Sequence, residues 1–226
     1  MYLSRLILNP RSRQVRNELA DPYELHRTVC QAFPDANYKA NEPSGILFRL
    51  DIHPRTYIPI LLVQSLWKPS WDFLRIEKKD YLLGENELPL DVENPSFKEM
   101  NLQLREGQAI AFRLRANPTV KKDREGKGQG RRLGLIHEED QLKWLERKIN
   151  SAGSALVSAR ISGEEFAKGK LFSERTDEKR MRFLSVQFDG ILQVNDPGLL
   201  LQAVKSGIGS GKGLGFGLLS LAPVRR

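Results

Sequence analysis

Apolar and polar residues alternate in short runs along this chain, and the runs predict strands interrupted by a few helices. Tyr2 to Leu8 is rich in strand-forming side chains and stops at Asn9-Pro10. Ser12 to Ala20 has helical spacing. Asp21-Pro22 reads as an N-cap followed by proline at the first helical position, opening a second helix to about Phe33. Gly45 to Ile52 and Tyr57 to Leu66 are predicted strands, joined through His53-Pro54-Arg55 as a hairpin. Trp67 to Glu93 is mixed and proline-dotted and yields no clear element. Glu93-Asn94-Pro95 reads as a domain boundary. In Ala109 to Arg115, Ile110, Phe112 and Leu114 fall on one face, Arg113 and Arg115 on the other; that is a half-buried strand with a basic outer face.

Asn117 to Arg132 is polar, basic and glycine-bearing, and reads as a long exposed loop. Glu138 to Asn150 carries Leu142, Leu145 and Ile149 at helical spacing. Ala155 to Ile161 and Phe183 to Phe188 are predicted strands. The stretch between them, dense in both charges, fits an extended hairpin. Asp196-Pro197 repeats the Asp-Pro helix start and predicts a helix to about Lys205. A glycine run and a last strand, Leu218 to Pro223, complete the order. The first part therefore reads β, α, β, β and the second β, α, β, β, α, β. The expectation is an α+β chain of two tandem ferredoxin-like domains, residues 1–93 and 94–226, with a glycine-rich loop near the C-terminal end.

That loop places Gly207, Gly209, Gly211, Gly213, Gly215 and Gly217 at every second position, with Lys212 among them. So many glycines cost backbone entropy on folding, and two readings account for them: close approach of bare N–H groups to an anion, or a flexible turn into the last strand. Familiar phosphate loops are excluded by spacing. A Walker loop needs glycine where Ser206 stands and Ser or Thr where Gly213 stands. The GxGxxG fingerprint fails at Lys212, Leu214 and Phe216 from successive starts.

Charge sharpens the anion reading. The formal net charge is +8, and between Arg113 and Arg132 eight basic residues meet only two acids, a local net of +6. Most of the excess thus sits in one segment, as a phosphate-binding face requires; a solvated loop is the plain alternative. A second stretch with Arg160, Lys168 and Lys170 is diluted by acids. Cys30 is the one cysteine, so no internal disulfide forms, which fits a reducing compartment. No apolar run is long enough for a membrane span or signal peptide, and a soluble, cytoplasmic protein is expected.

Three histidines are available for proton transfer. His26 follows Tyr23 by three residues in the second helix, so phenol and imidazole share a face and can act on one substrate atom; a surface histidine beside a packed tyrosine is the alternative. Cys30, four residues on, fits either a Cys–His pair or a buried structural thiol. His53 lies in a turn. His137-Glu138-Glu139-Asp140 points in several directions on a helix, and its acids suit a helix N-terminus better than a metal. No metal site and no cofactor are expected.

Three stretches together resemble one family. They are Met1 to Pro10 with Asp21-Pro22-Tyr23-Glu24-Leu25-His26, then Phe112 to Lys121 continuing through Arg131-Arg132 to Trp144–Lys148, and the glycine-rich end. The chain is similar to the CasE family of CRISPR-associated endoribonucleases, which process pre-crRNA in the type I-E Cascade complex. The resemblance implies metal-free cleavage of CRISPR repeat RNA at the 3′ base of its stem-loop. It implies a 2′,3′-cyclic phosphate and a 5′-hydroxyl as products, and retention of the crRNA among other Cascade subunits. His26 is then the general acid or base and Tyr23 its partner at the scissile phosphate. Arg27 and Lys212 are candidates to stabilise phosphate charge, with Lys121, Lys122, Arg131 and Arg132 on phosphates. Arg113, Arg115, Arg160, Lys168 and Lys170 complete the expected RNA-binding set. A non-catalytic crRNA-binding scaffold of the same superfamily is the competing reading, and a basic ribosome-associated or membrane-surface protein a more distant one.

Overall fold

A computed structural model describes residues 1–34, 45–89, 91–122, 131–171 and 179–224. The chain separates into two compact units. The first comprises Met1–Asn101, Lys168–Arg180 and Gly213–Gly215; the second comprises Leu102–Ala167, Met181–Lys212 and Phe216–Arg226.

The first unit begins with β1 (Tyr2–Ile7), α1 (Arg13–Ala20) and α2 (Pro22–Cys30). It continues with β2 (Ile46–Ile52), β3 (Pro59–Ser65), the single-turn α3 (Phe73–Ile76) and β4 (Ser96–Glu99). The four strands form an antiparallel sheet in the order β2-β3-β1-β4. Leu6, Phe48, Leu61 and Val63 line its buried face and pack against Val15 of α1 and Val29 of α2. Side-chain caps set the helix starts, the one at Asp21 as foreseen from the sequence. The Ser12 hydroxyl accepts from the Val15 N–H, and the Asp21 carboxylate accepts from the Tyr23 N–H at 3.1 Å. Helix α2 ends at Cys30, three residues before the predicted stop at Phe33.

The second unit holds β5 (Ala109–Ala116), β6 (Thr119–Lys122), β7 (Arg131–Gly134) and α4 (Glu138–Ser151). After these come β8 (Ser154–Leu171) and β9 (Lys179–Val194), apart from the residues within Lys168–Arg180 that the first unit includes, then α5 (Pro197–Ser206) and β10 (Leu219–Pro223). Its main sheet runs β10-β5-β9-β8, the strand order of the first unit again, and each unit is a ferredoxin-like fold. Strand β5 alternates as predicted, with Ile110, Phe112, Leu114 and Ala116 buried.

Three expectations change. The predicted loop over 117–132 contains a two-stranded ribbon, in which β6 pairs with β7 and Lys121 faces Arg132. Its strands are four residues long and charged, so no apolar alternation announces them. The stretch from Trp67 to Glu93 contributes α3, and the Asn94 side chain bonds Ile7 and Leu83 backbone groups beside β1. Finally, β4 pairs with β1, so the first unit runs to Asn101 and the boundary foreseen at residue 93 falls before its last strand.

Candidate active site

Helix α2 turns about 100° per residue, which brings Tyr23, His26 and Cys30 within roughly 60° of one another. Leu25, Thr28 and Val29 are buried on the other side. The helix is therefore anchored by one face and presents its reactive groups on the other.

The His26 ring is held by apolar and backbone surfaces. It stacks on Phe48 of β2 at 5.9 Å between centroids and 12° between planes. Phe48 is itself only 1% exposed, so it is a fixed backing. A Cβ placed on Gly213 would lie 3.3 Å from His26 Cδ2 and 3.4 Å from Nε2, and one on Gly215 would lie 3.1 Å from Phe48 Cε2. Two glycines of the run thus touch the imidazole and its backing ring. Burial pushes the His26 pKa below the ordinary imidazole value, so the ring is neutral at neutral pH.

Cys30 Sγ lies 3.6 Å from Nδ1 and 3.8 Å from Nε2 of His26. Such nearly equal separations single out neither nitrogen as the partner, and the thiol packs against the ring. Of the two readings of Cys30, the geometry favours the half-buried packing thiol.

Protein packing accounts for the rest of the glycine run as well. Gly209 lies against Trp144, Gly211 against Phe216, and Gly207, Gly209, Gly211, Gly215 and Gly217 all have positive φ. Lys212 opens a 3-10 turn just before Gly213; burial and the nearby Lys148 lower its pKa. Arg27 is exposed and pairs with Glu24 at 3.2 Å.

In the second unit the predicted basic residues separate into two groups. Arg113 Nε donates to Asp189 at 2.6 Å, and Arg160 acts on the same carboxylate. Burial pushes the Asp189 carboxyl up, but Arg113, Ser162 and Arg160 outweigh it and hold the pKa below the ordinary range. Arg113, Arg160, Ser158 and Gly190 line one open groove of about 440 Å³. Arg115 donates to Ser185 at 2.7 Å and pairs with Glu165. The second group is the ribbon, where Lys121 stands opposite Arg132 and Lys122 opposite Arg131. The side chains of Lys122 and Arg131 lie outside the described residues; Lys121 and Arg132, like charges at one cross-strand position, repel, and a polyanion would relieve them. Lys168 and Lys170 belong to β8, and their side chains lie outside the described residues.

Sequence reasoning missed Phe48, because an aromatic in an apolar strand carries no mark of its role. It also missed that Gly213 faces an imidazole. Among the described residues no group of His, Cys, Asp or Glu is arranged to hold a metal ion, and no helix is long and apolar enough to cross a membrane.

The family model described as CRISPR associated protein matches residues 1–223. The CRISPR-associated endoribonuclease Cse3 of Thermus thermophilus is 34% identical over 99% of this chain and 100% of its own length. The Cascade subunit CasE of Escherichia coli is 30% identical over 99% and 100%. A solved structure of CRISPR endoribonuclease Cse3 bound to a 19-nucleotide RNA superposes with a TM-score of 0.81 at 33% identity, covering 99% of this chain and 100% of the other. These matches span the chain from end to end and include both units and the Tyr23–His26 helix: the chain belongs to the CasE family of CRISPR-associated endoribonucleases.

Proposed function

We propose that this protein is an endoribonuclease that binds CRISPR repeat stem-loop RNA, cleaves pre-crRNA at the 3′ base of the stem, and remains with the crRNA among other Cascade subunits. The seating of His26 carries the reading: a neutral imidazole, backed by Phe48 and walled by the Gly213 backbone, on the helix face shared with Tyr23.

The reaction is an internal transesterification. The 2′-oxygen attacks the adjacent phosphorus, the bond to the 5′-oxygen breaks, and a 2′,3′-cyclic phosphate and a 5′-hydroxyl result. A neutral His26 takes the 2′-hydroxyl proton, a step that supplies on the order of 10²–10⁴-fold. A second proton goes to the departing 5′-oxygen. Tyr23 sits at the same phosphate, and Lys212 or Arg27 stabilises the charge that builds on its oxygens. No step calls for a metal ion or cofactor. The basic ribbon, with Lys121, Lys122, Arg131 and Arg132, takes backbone phosphates, and Arg113, Arg115 and Arg160 extend the RNA-binding surface. Such work on pre-crRNA belongs to the cytoplasm.

The test is incubation of the purified protein with a repeat hairpin RNA in EDTA, alongside His26→Ala, with analysis of the product ends. A single cut beside the stem with a cyclic phosphate, lost in the variant, is expected. Tight binding with no cleavage by the wild type would mean a crRNA-holding scaffold instead.

A further inference from the structure

Behind α2, on the side away from His26, lies a buried polar cluster with no part in the chemistry above. The Glu18 carboxylate of α1 is 6% exposed and accepts three hydrogen bonds: from Thr28 Oγ1 at 2.8 Å, from the Tyr81 hydroxyl at 2.6 Å and from Gln14 Nε2 at 2.8 Å. The Lys78 ammonium stands 3.7 Å from the same carboxylate and donates to Thr28 Oγ1 at 3.0 Å. It also lies over the rings of Phe73 and Tyr81, at 5.8 and 5.3 Å from their centroids.

Thr28 is the member of this cluster that α2 contributes. Its hydroxyl accepts from Lys78 and donates to Glu18, so both of its roles are filled and its rotor is fixed. Thr28 is two residues from His26, about 200° around a helix of nine residues. A rotation of α2 that moved Thr28 off its two partners would swing the imidazole off Phe48 and away from Gly213. Leu25 and Val29, buried in the core, also hold the helix down, but burial is non-directional and does not by itself specify one rotation. Hydrogen bonds to a buried carboxylate are directional, and breaking one leaves a desolvated charge short of a partner. Buried ion pairs are poor sources of net stability, and fixing one geometry is a better reason for their presence.

We propose that Thr28, held by Glu18 and Lys78, is a positioning residue for cleavage: it fixes the rotation of α2 and thereby the place of His26 at the scissile phosphate. The inference rests on the endoribonuclease reading above. Its failure is separable from that of the reading, because the wild type and His26→Ala are run in the same assay.

Thr28→Val keeps the shape and removes both hydrogen bonds. Single-turnover cleavage of the repeat hairpin is measured with hairpin affinity and melting temperature, at a temperature where every variant is folded. The expected result is a cleavage rate reduced at least about tenfold with affinity within about twofold; a misplacement of about 1 Å corresponds to about 10²-fold. Thr28→Ser restores the hydroxyl and the rate. Tyr81→Phe removes a bond to Glu18 that does not pass through Thr28; it lowers the melting temperature while the rate falls less than in Thr28→Val. If Thr28→Val does not fold, Thr28→Ala is measured in its place. Cleavage by the folded valine or alanine variant within about twofold of wild type overturns the proposal. So does a loss in Tyr81→Phe equal to that variant's, or failure of serine to rescue. An inactive wild type overturns the endoribonuclease reading instead.

Discussion

Replacing Gly213 by alanine tests the seating of the imidazole with one methyl group. The new Cβ would lie 3.3 Å from His26 Cδ2 and 3.4 Å from Nε2. Carbon contacts are most favourable at about 3.5–4.0 Å, so the ring must recede by roughly 0.2–0.5 Å. Phe48, 1% exposed and stacked at 5.9 Å, limits the direction in which it can go. Gly213 is not among the glycines with positive φ, so alanine brings the contact without backbone strain. If an error of about 1 Å costs about 10²-fold, a shift of a few tenths costs roughly three- to tenfold in the chemical step. That is ~0.7–1.4 kcal/mol of activation free energy. Single-turnover cleavage at saturating protein isolates the step, and hairpin affinity should be unchanged because the basic ribbon is untouched. Gly215→Ala is the contrasting case. Its φ of +83° and the 3.1 Å approach to Phe48 add strain of about 1–2 kcal/mol, so melting temperature falls along with rate. A Gly213→Ala enzyme cleaving at the wild-type rate, or losing affinity rather than rate, refutes the reasoning.

Charge reversal at Lys121 or Arg132, the cross-strand pair of the ribbon, should weaken hairpin binding and lower the slope of log affinity against log salt by about one unit per lost phosphate contact; an unchanged slope removes the ribbon from the interface. The buried His26 should also appear in the pH dependence of stability. Its folded pKa lies below the ordinary 6.5, so the unfolded chain binds the extra proton first as pH falls. Its contribution is full above about pH 6.5 and is lost as pH falls through the depressed folded value. The melting temperature of His26→Ala should therefore fall less than that of wild type between about pH 7.5 and about pH 5, and parallel curves contradict the burial of the ring.

Much of the frame is decided by neighbours in sequence. Asp21-Pro22 and Asp196-Pro197 start helices because a carboxylate caps the first N–H groups and proline fits the first turn, and both helices begin there. The alternation of Ile110, Phe112 and Leu114 against Arg113 and Arg115 determines which face of β5 is buried, because strand side chains have period two. Helical spacing alone puts Tyr23 and His26 on one face.

Tertiary structure decided the rest, through contacts between residues distant along the chain. The ribbon of β6 and β7 is stabilised by pairing across a connection, and its charged residues have the composition of a loop. Phe48 gains its role only because β2 lies beneath α2. Gly213 lies close against an imidazole from the far end of the chain, leaving a side chain there little room, and Thr28 is tied to Glu18 and Lys78 from two other segments. The sequence offers His26 as a candidate for proton transfer; packing of non-adjacent surfaces sets its position and lowers its pKa, since both depend on what excludes water from the ring.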